Sequence, residues 1–303
     1  MNGIIPLNKA RGMTSFDCVR KLRGILKTKK IGHSGTLDPN VDGVLPICVG
    51  NATKVVDFLM DSGKVYRGEI TLGVSTTTED LDGEIVDQKP ITTPFSLEQI
   101  NQAMQSLVQP ALLQIPPMYS AVKVNGRRLY EYARAGETVK RPERHVRIDY
   151  FKITAPIEYD ADRQVQRIQF EVGCGKGTYV RTLSFMVGKI LGVPAVMSDL
   201  TRIKSGGFTL AEAYSLSDVE AAMKAGQIDK VLFPIDHALS SFPTVDLSDA
   251  DWKIVQNGGF LAPQNINIRD EQVALRYQGQ IKALYYFNAA QGVYKPLKMF
   301  SVN

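Results

Sequence analysis

The segment KVYRGEITLG (64–73) alternates between two sets of side chains, and this alternation constrains the possible folds strongly. Every second residue from Tyr66 to Leu72 falls on one face and the residues between them fall on the other, as in a strand with one buried face. QRIQFEV (166–172) alternates in the same way. Because strands and helices do not follow each other in strict βαβ order, the sequence predicts an α+β fold with a mixed sheet, not a doubly wound parallel sheet.

Several helices are predicted from apolar residues at helical spacing and from signals at their ends. The predicted helices are one that carries Phe16, Val19, Leu22 and Leu26 after a capping Ser15, two that begin at capping boxes Ser96/Gln99 and Ser217/Glu220, one over 52–60, one over 129–136, and one over 178–192 that ends at Gly192. Residues 115–128 predict a strand that enters an Asn125-Gly126 turn.

The segment FPIDHALSSFP (233–243) has the composition of a linker. Beyond it, the sequence is rich in strand-forming residues and is broken by turn signals at Gly279 and Gly292. The sequence therefore predicts a main domain of residues 1–240 and a small β-rich domain of residues 241–303.

The three cysteines lie far apart and form no Cys-x-x-Cys pair, so neither a zinc site nor a disulfide framework is indicated. Such cysteine usage is typical of a reduced, cytoplasmic compartment. No stretch approaches the ~18 uncharged apolar residues that span a bilayer, and the N-terminus lacks the basic-then-apolar order of a secretory signal. We therefore expect a cytoplasmic protein that does not contact a membrane.

Positive charge is concentrated between residues 123 and 147, where eight basic and three acidic residues give +5, the net charge of the whole chain. The basic residues are Lys123, Arg127, Arg128, Arg134, Lys140, Arg141, Arg144 and Arg147. Tyr130 and Tyr132 interleave with them. A polyanion partner would select such a segment, while a solvated charged surface is the alternative, and composition alone leaves both open.

The stretch GHSGTLDPNVDGVLP (32–46) places polar side chains where helix and strand formers are scarce. Asp38 precedes a proline and so favours a turn, and Asp42-Gly43 predicts a second turn four residues later, which would make the loop rigid. An aspartate held in this way could act as a nucleophile or a general base. The alternative is that Asp38 is only a turn residue.

His33 shows no metal-ligand spacing to the other two histidines, so no metal site is predicted. A lone loop histidine is polar surface in most proteins, but its ring could also stack on a nucleobase. Tyr66, on the apolar face of its strand, is either a core residue or one wall of a pocket.

GCGKGTYVRT (173–182) brings three alternate glycines to the start of a helix, where an anion could be held. It matches neither dinucleotide nor Walker patterns, so no nucleotide cofactor is predicted. Arg181 in the first helical turn opposes the helix dipole, and a carboxylate or phosphate partner would explain it, as would simple surface exposure. Asp80-x-Asp82-Gly83 is interpreted as a turn, because the other ligands of an EF-hand are missing.

Several motifs in order resemble the TruB-type tRNA pseudouridine synthases of bacteria. The matching segments are GHSGTLDPNVDGVLPICVGNATK (32–54), KVYR (64–67), GTYVRTL (177–183), SDLTRIKSGGF (198–208) and PPMYSAVKVNGRRLYEYARAGE (116–137). Any one of these motifs alone would be a weak signal, but their combination and order are specific to the family. Residues 243–303 carry no motif that can be matched.

The resemblance implies that uridine 55 in the T loop of tRNA is isomerised to pseudouridine by a monomer without a cofactor or a metal. Asp38 would be the nucleophile, Tyr66 would stack on the target base, and Arg181 would pair with Asp38. Tyr179 and Leu200 would line the uridine pocket, and His33 would contact the T loop. An insertion at about 116–147 would grip the RNA backbone through Lys123, Arg127, Arg128, Arg134, Lys140, Arg141 and Arg144. The implied fold is a mixed, largely antiparallel sheet flanked by helices, followed by a small PUA-like domain.

Two other functions fit parts of the sequence. An RNA-binding or tRNA-chaperone module, with only incidental catalysis, would use the basic segment and its aromatic residues equally well. A hydrolase with an aspartate nucleophile would also need a base that activates water, and no motif places a histidine or a glutamate for that role.

Overall fold

The computed structural model describes residues 1–266 and 270–300. The strands are β1 (Gly3–Lys9), β2 (Ile31–His33), β3 (Asp42–Val49), β4 (Lys64–Leu72), β5 (Val74–Thr76), β6 (Ile85–Gln88), β7 (Leu112–Gln114), β8 (Lys123–Val124), β9 (Arg127–Arg128), β10 (Arg144–Val146), β11 (Ile148–Ile153), β12 (Glu158–Asp160), β13 (Val165–Cys174), β14 (Ala195–Ser205), β15 (Phe208–Thr209), β16 (Thr244–Asp246), β17 (Gln272–Tyr277), β18 (Gln280–Asn288) and β19 (Val293–Met299). The α-helices are α1 (Ser15–Ile25), α2 (Val56–Asp61), α3 (Leu97–Ser106), α4 (Leu129–Arg134), α5 (Val180–Leu191), α6 (Leu216–Lys224) and α7 (Asp249–Val255). Short 3-10 helices occupy Gly50–Val55, Leu210–Glu212, Ile228–Lys230, Ile235–Leu239 and Pro263–Asn265.

Internal contacts divide the chain into two compact units. The first comprises Met1–Pro39, Val44–Met60 and Gly206–Asn303, and the second comprises Asn40–Gly43 and Asp61–Ser205. Strand β3 begins in the second unit and continues in the first. The domains 1–240 and 241–303 that the sequence suggests stay a prediction.

The sheet of the second unit has the order β14–β4–β13–β11, and each of these neighbouring pairs is antiparallel. The first two residues of β3 add a short parallel pairing with β14. The predicted mixed, largely antiparallel sheet is therefore confirmed. Helix α5 packs against β14, and α3 packs against both α5 and β11, so helices cover the sheet as the α+β prediction requires.

Strand β4 follows the face pattern that its sequence predicts. Tyr66, Ile70 and Leu72 are buried while Arg67 points to solvent. On the neighbouring strand, Phe170 meets Phe151 of β11 edge to face, with ring centroids 5.2 Å apart. The alternation of apolar and polar residues thus orients β4 and places Tyr66 on its buried side.

Asp42 and Gly43 do not form the turn that their sequence predicts, because they are the first residues of β3 and pair with Thr201 and Arg202. Gly43 has φ +108°, and a Cβ atom built on it would lie 2.2 Å from the carbonyl oxygen of Arg202. Asp42 Oδ1 accepts a hydrogen bond of 2.6 Å from Thr201 Oγ1. Glycine is needed here for the close approach of the paired strands β3 and β14, not for a turn.

In the first unit, β1 and β2 both pair with β3, and a four-stranded sheet has the order β16–β17–β18–β19. This confirms a β-rich C-terminal region, with turns at the predicted Gly279 and Gly292, both at positive φ. One core cluster combines residues from the two ends of the chain, among them Ile4, Val44, Cys48, Ala274, Leu284 and Phe300. Residues 233–243 are not an extended linker, since they contain a 3-10 helix in which Leu239 is buried and His237 stacks on Phe208 at 3.8 Å between ring centroids.

Most helix ends agree with the sequence to within one or two residues, but the helix predicted over 52–60 is a 3-10 helix over Gly50–Val55 followed by α2 from Val56. The box at Ser96 and Gln99 is confirmed, as is the left-handed cap of α5 at Gly192. Two predicted caps are wrong: α1 is capped by Thr14, and α6 by Ser215, two residues before the predicted Ser217. Each of these two helices begins among several serine or threonine residues. The N-cap is the one whose hydroxyl accepts a hydrogen bond from the backbone amide at N3. The strand predicted over 115–128 is mostly absent. Only a short hairpin forms there, in which β8 and β9, two residues each, flank the Asn125-Gly126 turn.

Candidate active site

The loop that contains Asp38 joins the antiparallel strands β2 and β3 in the first unit. His33 is the last residue of β2 and pairs with Ile47. The amide of Ser34 donates to the carbonyl of Pro46 at 2.9 Å, which extends the ladder one step beyond the strand. His33 and Asp38 are both half-buried, and both lie at the loop end of the hairpin.

Backbone anchors fix the residues on both sides of Asp38. Leu37 donates its amide to Ser15 Oγ at 2.9 Å, and that hydroxyl donates back to the Leu37 carbonyl at 3.3 Å. The Pro39 carbonyl accepts from Lys9 Nζ at 3.0 Å and from the Gly12 amide at 2.9 Å. The loop is therefore anchored on both sides of Asp38, but by β1, α1 and the residues between them, and not by the Asp42-Gly43 turn that the sequence predicts.

Lys9 is fully buried at the end of β1. Its ammonium group also donates to the carbonyls of Ala10 at 3.0 Å and of Met13 at 2.7 Å. An ammonium group has three donors, and three backbone carbonyls that converge on it offset part of the cost of burying the charge. Lys9 is not among the residues predicted from the sequence, although a cation at the end of the largely apolar stretch GIIPLNK (3–9) is a signal that could have marked it.

Arg181 lies in the first turn of α5 in the second unit, and 4% of its surface is exposed. Its Nη1 donates to the Thr78 carbonyl at 2.8 Å, and its Nη2 donates to the Tyr119 carbonyl at 2.9 Å. Nη1 also lies 3.3 Å from Asp80 Oδ2. Asp80 therefore supplies a carboxylate partner of the kind that a cation at a helix N-terminus requires, and the surface alternative for Arg181 is wrong.

Asp80 is also the turn residue that the sequence predicts. Its Oδ1 accepts from the Asp82 amide at 3.0 Å and from Thr78 Oγ1 at 2.5 Å, which closes the loop between β5 and β6. The other carboxylate oxygen faces Arg181. Sequence reasoning found the turn and missed the ion pair, because the two partners are about one hundred residues apart in the chain.

Tyr66 and Leu200 lie on neighbouring strands of one sheet. Tyr66 of β4 pairs with Arg202 of β14, and Gly68 pairs with Leu200. Paired residues on antiparallel strands project to the same face, and so do residues two apart along a strand. The structure therefore brings Tyr66 and Leu200 to one face. A Cβ atom on Gly68 would lie 2.9 Å from Leu200 Cδ1, so the glycine leaves the room that Leu200 occupies.

Tyr179 caps the N-terminus of α5 and is half-buried. The buried amide side chain of Gln114 binds its backbone twice, accepting from the Tyr179 amide at 2.8 Å and donating to its carbonyl at 3.0 Å. The Arg144 guanidinium stacks over its ring, with 5.7 Å from Cζ to the centroid. Gln114 is a positioning contact that the sequence analysis did not identify.

Lys64 begins β4, two residues before Tyr66, and is buried. Burial and the nearby positive charge of Arg202 lower the pKa of Lys64 to about 8. Its Nζ donates to the Ser62 carbonyl at 3.0 Å. The buried side of this sheet therefore holds two cationic side chains close together, and such a region favours an anionic partner.

The basic segment divides into exposed and engaged residues. Lys123, Arg128, Arg134 and Lys140 are exposed. Half-buried Arg127 forms an ion pair of 2.8 Å with Glu137 and lies over the Tyr132 ring at 4.5 Å, and half-buried Arg141 donates to the Pro116 carbonyl at 3.1 Å. Tyr130 has Arg128 and Arg134 over its ring at 5.7 and 5.3 Å. The interleaved tyrosines therefore hold arginines in place.

Among residues 1–266 and 270–300, no group of three or more His, Cys, Asp or Glu side chains could hold a metal ion. Within the same ranges, no helix is long and apolar enough to cross a bilayer. Cys18, Cys48 and Cys174 are free and buried.

Residues 23–180 match the family model described as TruB family pseudouridylate synthase (N terminal domain), which is more than half of the chain. The chain belongs to the TruB family. Residues 181–240 match the description tRNA pseudouridylate synthase B C-terminal domain. The predicted resemblance and the predicted enzyme class are thereby confirmed, and the two matched ranges together contain every residue of the predicted site.

Curated TruB-family proteins match this chain over its full length. The tRNA pseudouridine synthase B of Levilactobacillus brevis is 59% identical over 304 residues, covering 100% of both chains. That of Lactiplantibacillus plantarum is 57% identical, again covering 100% of both. The similarity therefore extends beyond the two matched domain ranges into the C-terminal sheet.

Solved structures agree on the fold. A chain of a Cbf5–Nop10–Gar1 complex has a TM-score of 0.74 and 27% identity, covering 99% of this chain and 85% of that one. A chain of an H/ACA ribonucleoprotein bound to a substrate RNA containing 2′-deoxyuridine has a TM-score of 0.73 at 24% identity. The predicted pseudouridine synthase fold is thereby confirmed.

Proposed function

We propose that this chain isomerises uridine 55 in the T loop of tRNA to pseudouridine, with Asp38 as the nucleophile. Membership of the TruB family supports the reaction and the RNA substrate. The single observation that carries the role of Asp38 is the bracing of its loop, in which Leu37 and Pro39 are both tied to buried groups. A nucleophile held by its neighbours is placed before the substrate arrives, which lowers the entropic part of the barrier.

The chemistry requires no electron transfer and no external group. The bond between N1 of uracil and C1′ of the ribose breaks, a bond between C5 and C1′ forms, C5 loses its hydrogen as a proton and N1 gains one. The detached base must turn inside a site closed to water. The side chains of Tyr66, Tyr179 and Leu200 are proposed to contact the base, and His33 the surrounding T loop.

Arg181 is proposed to pair with Asp38 and to keep that carboxyl ionised, since a nearby cation favours the charged form. Its bonds to Thr78 and Tyr119 support this role, because they fix the plane of the guanidinium. Removing the target uridine from its stack costs a few kcal/mol, which stacking on Tyr66 and phosphate contacts to the basic segment would offset.

A second basic segment supports a polyanionic partner. Residues 20–30 contain six basic residues and no acidic residue. All six basic side chains are exposed: Arg20, Lys21, Arg23, Lys27, Lys29 and Lys30. This segment carries +6 and residues 123–147 carry +5, so the chain's net +5 leaves −6 for the remainder. The interpretation that positive charge resides in 123–147 alone is therefore incomplete. Two exposed basic surfaces are what contact with an extended phosphate backbone requires.

Asp38→Asn tests the proposal. With tRNA carrying 5-tritiated uridine, we expect the variant to release no tritium in single-turnover reactions while its Kd for tRNA stays within a few-fold of wild type. Asp87→Asn, at an exposed position of β6, is the matched control and should release tritium at the wild-type rate. Tritium release by Asp38→Asn at the control rate would remove Asp38 from the mechanism.

The same experiment separates the enzyme from an RNA-binding or chaperone module. A module that only binds tRNA would release no tritium even as the wild-type protein. Mapping pseudouridine in a T-arm hairpin, without any added cofactor, tests the assignment to position 55. We further propose that the protein is cytoplasmic and acts as a monomer. Sedimentation of the purified chain with and without tRNA would test the monomeric state.

A further inference from the structure

Glu79 lies between the two residues that bond Arg181, and its contacts are unusual for a loop glutamate. Its side chain accepts a hydrogen bond of 2.7 Å from Thr182 Oγ1, in the first turn of α5. Its carbonyl accepts the amide of Met197 on β14 at 3.1 Å. Residue 79 therefore ties the loop between β5 and β6 both to the helix that carries Arg181 and to the strand that carries Leu200.

Glu79 carries two unfavourable free-energy terms, one from its backbone conformation and one from the burial of its carboxyl group. Its φ is +64°, a left-handed conformation that is uncommon for a residue other than glycine. Burial raises the pKa of its carboxyl, against the opposing effects of the Thr182 hydrogen bond and of the positive charge of Arg181. Strain of this kind persists where the surrounding structure over-determines it, and it concentrates at functional sites.

The contacts of Glu79 and Asp80 are in register with those of the helix. Asp80 faces Arg181 at 3.3 Å, and Glu79 binds Thr182, the next residue of α5. Thr78, on the other side, gives its carbonyl to Arg181 at 2.8 Å. Three consecutive loop residues thus bind two consecutive helix residues, and a shift of the loop at Glu79 would displace both Thr78 and Asp80 from the guanidinium.

We propose that Glu79 and Thr182 form a clip that positions Arg181 for the isomerisation reaction. Glu79 is a positioning residue, because it acts on the reaction only through the orientation of the Arg181 guanidinium. The charged groups that face its carboxyl are Arg181, Arg141 and Asp80. The inference rests on the proposed function, since it assigns Arg181 a role in that reaction.

Thr182→Val and Thr182→Ser test the clip. Valine keeps the shape of threonine and removes the hydroxyl, and Thr182 is 5% exposed, so the swap leaves one buried acceptor without its donor. We expect Thr182→Val to lower the single-turnover rate constant roughly tenfold, the factor that corresponds to one such hydrogen bond, with the Kd for tRNA within twofold of wild type. Thr182→Ser keeps the hydroxyl and should retain most of the rate.

Glu79→Ala removes the other half of the clip and should give the same loss as Thr182→Val. The double variant should then be no slower than either single one, because both remove one shared contact. Multiplied losses in the double variant would overturn the proposal, as would a wild-type rate constant for folded Thr182→Val. A lower unfolding midpoint with an unchanged rate constant would mean that the contact only stabilises the fold, which also overturns it.

Failure of the clip is distinguishable from failure of the proposed function. If the wild-type protein forms no pseudouridine in tRNA, the function itself is wrong. If the wild-type protein forms pseudouridine and the Thr182 variants match it, the function stands and the clip is wrong.

Discussion

The bracing of the Asp38 loop by Ser15 predicts a measurable loss of rate when one hydroxyl is removed. Ser15 and Leu37 are both buried, and the Ser15 hydroxyl is bonded to the amide and to the carbonyl of Leu37. Ser15→Ala leaves these two backbone groups without that partner, at a cost of about 1–3 kcal/mol. When this whole cost is added to the activation free energy through displacement of Asp38, the rate constant falls roughly 5- to 150-fold.

The rate constant for tritium release in a single turnover is the proper measurement, since it excludes product release. Ser106→Ala is the matched control, because it removes an exposed hydroxyl that donates to the Ala103 carbonyl at 2.7 Å in the second unit. We expect the control to react at the wild-type rate and both variants to bind tRNA normally. A folded Ser15→Ala protein with the wild-type rate constant would refute the view that this hydroxyl positions Asp38.

Two other predictions concern charge. Replacing the exposed Lys123, Arg128, Arg134 and Lys140 with glutamine should make the plot of log Kd for tRNA against log salt shallower by about 3, at ~0.7–0.9 per lost phosphate contact; an unchanged slope would assign these side chains to solvated surface. Glu79 holds its proton more tightly in the folded state than in the unfolded state, so its contribution to stability is present below pH 4.5 and is lost as pH rises through its raised pKa. The free energy of unfolding of wild type relative to Glu79→Gln should therefore fall from pH 4.5 upward in denaturant titrations, and a constant difference would contradict the raised pKa.

Local patterns in the sequence were sufficient for the elements that carry the candidate site. The alternation in 64–73 predicts β4 and the buried side of Tyr66, because side-chain direction in a strand depends only on the parity of the position. The glycine after residues 178–191 predicts the end of α5, because a left-handed cap favours glycine. Tyr66 and Arg181 could therefore be placed on their elements from the sequence alone.

Contacts between distant segments could not be predicted in this way. Ser15 and Leu37 are 22 residues apart, and Lys9 and Pro39 are 30 apart. The local sequence pattern around each residue does not indicate which distant residue it contacts. Asp42-Gly43 is a second example. The dipeptide is a common turn signal, but here it begins β3, where Gly43 allows a close approach to the paired residue Arg202.

Lys9 and Arg181 show why the two cation types are not interchangeable in this chain. Both are buried and both donate to backbone carbonyls, which reduce the cost of burial, and Arg181 also faces the Asp80 carboxylate. The three carbonyls around Lys9 Nζ come from Ala10, Met13 and Pro39, and the compact ammonium group reaches all of them.

The carbonyls at Arg181 come from residues 78 and 119, on two separate segments, and each is bonded by a different Nη atom. A planar fork can bond two carbonyls through separate nitrogen atoms, whereas an ammonium group bonds only carbonyls that converge on one nitrogen. The residue types therefore follow from how the carbonyls are arranged, since those around Lys9 converge on one nitrogen atom and those at Arg181 are bonded by two.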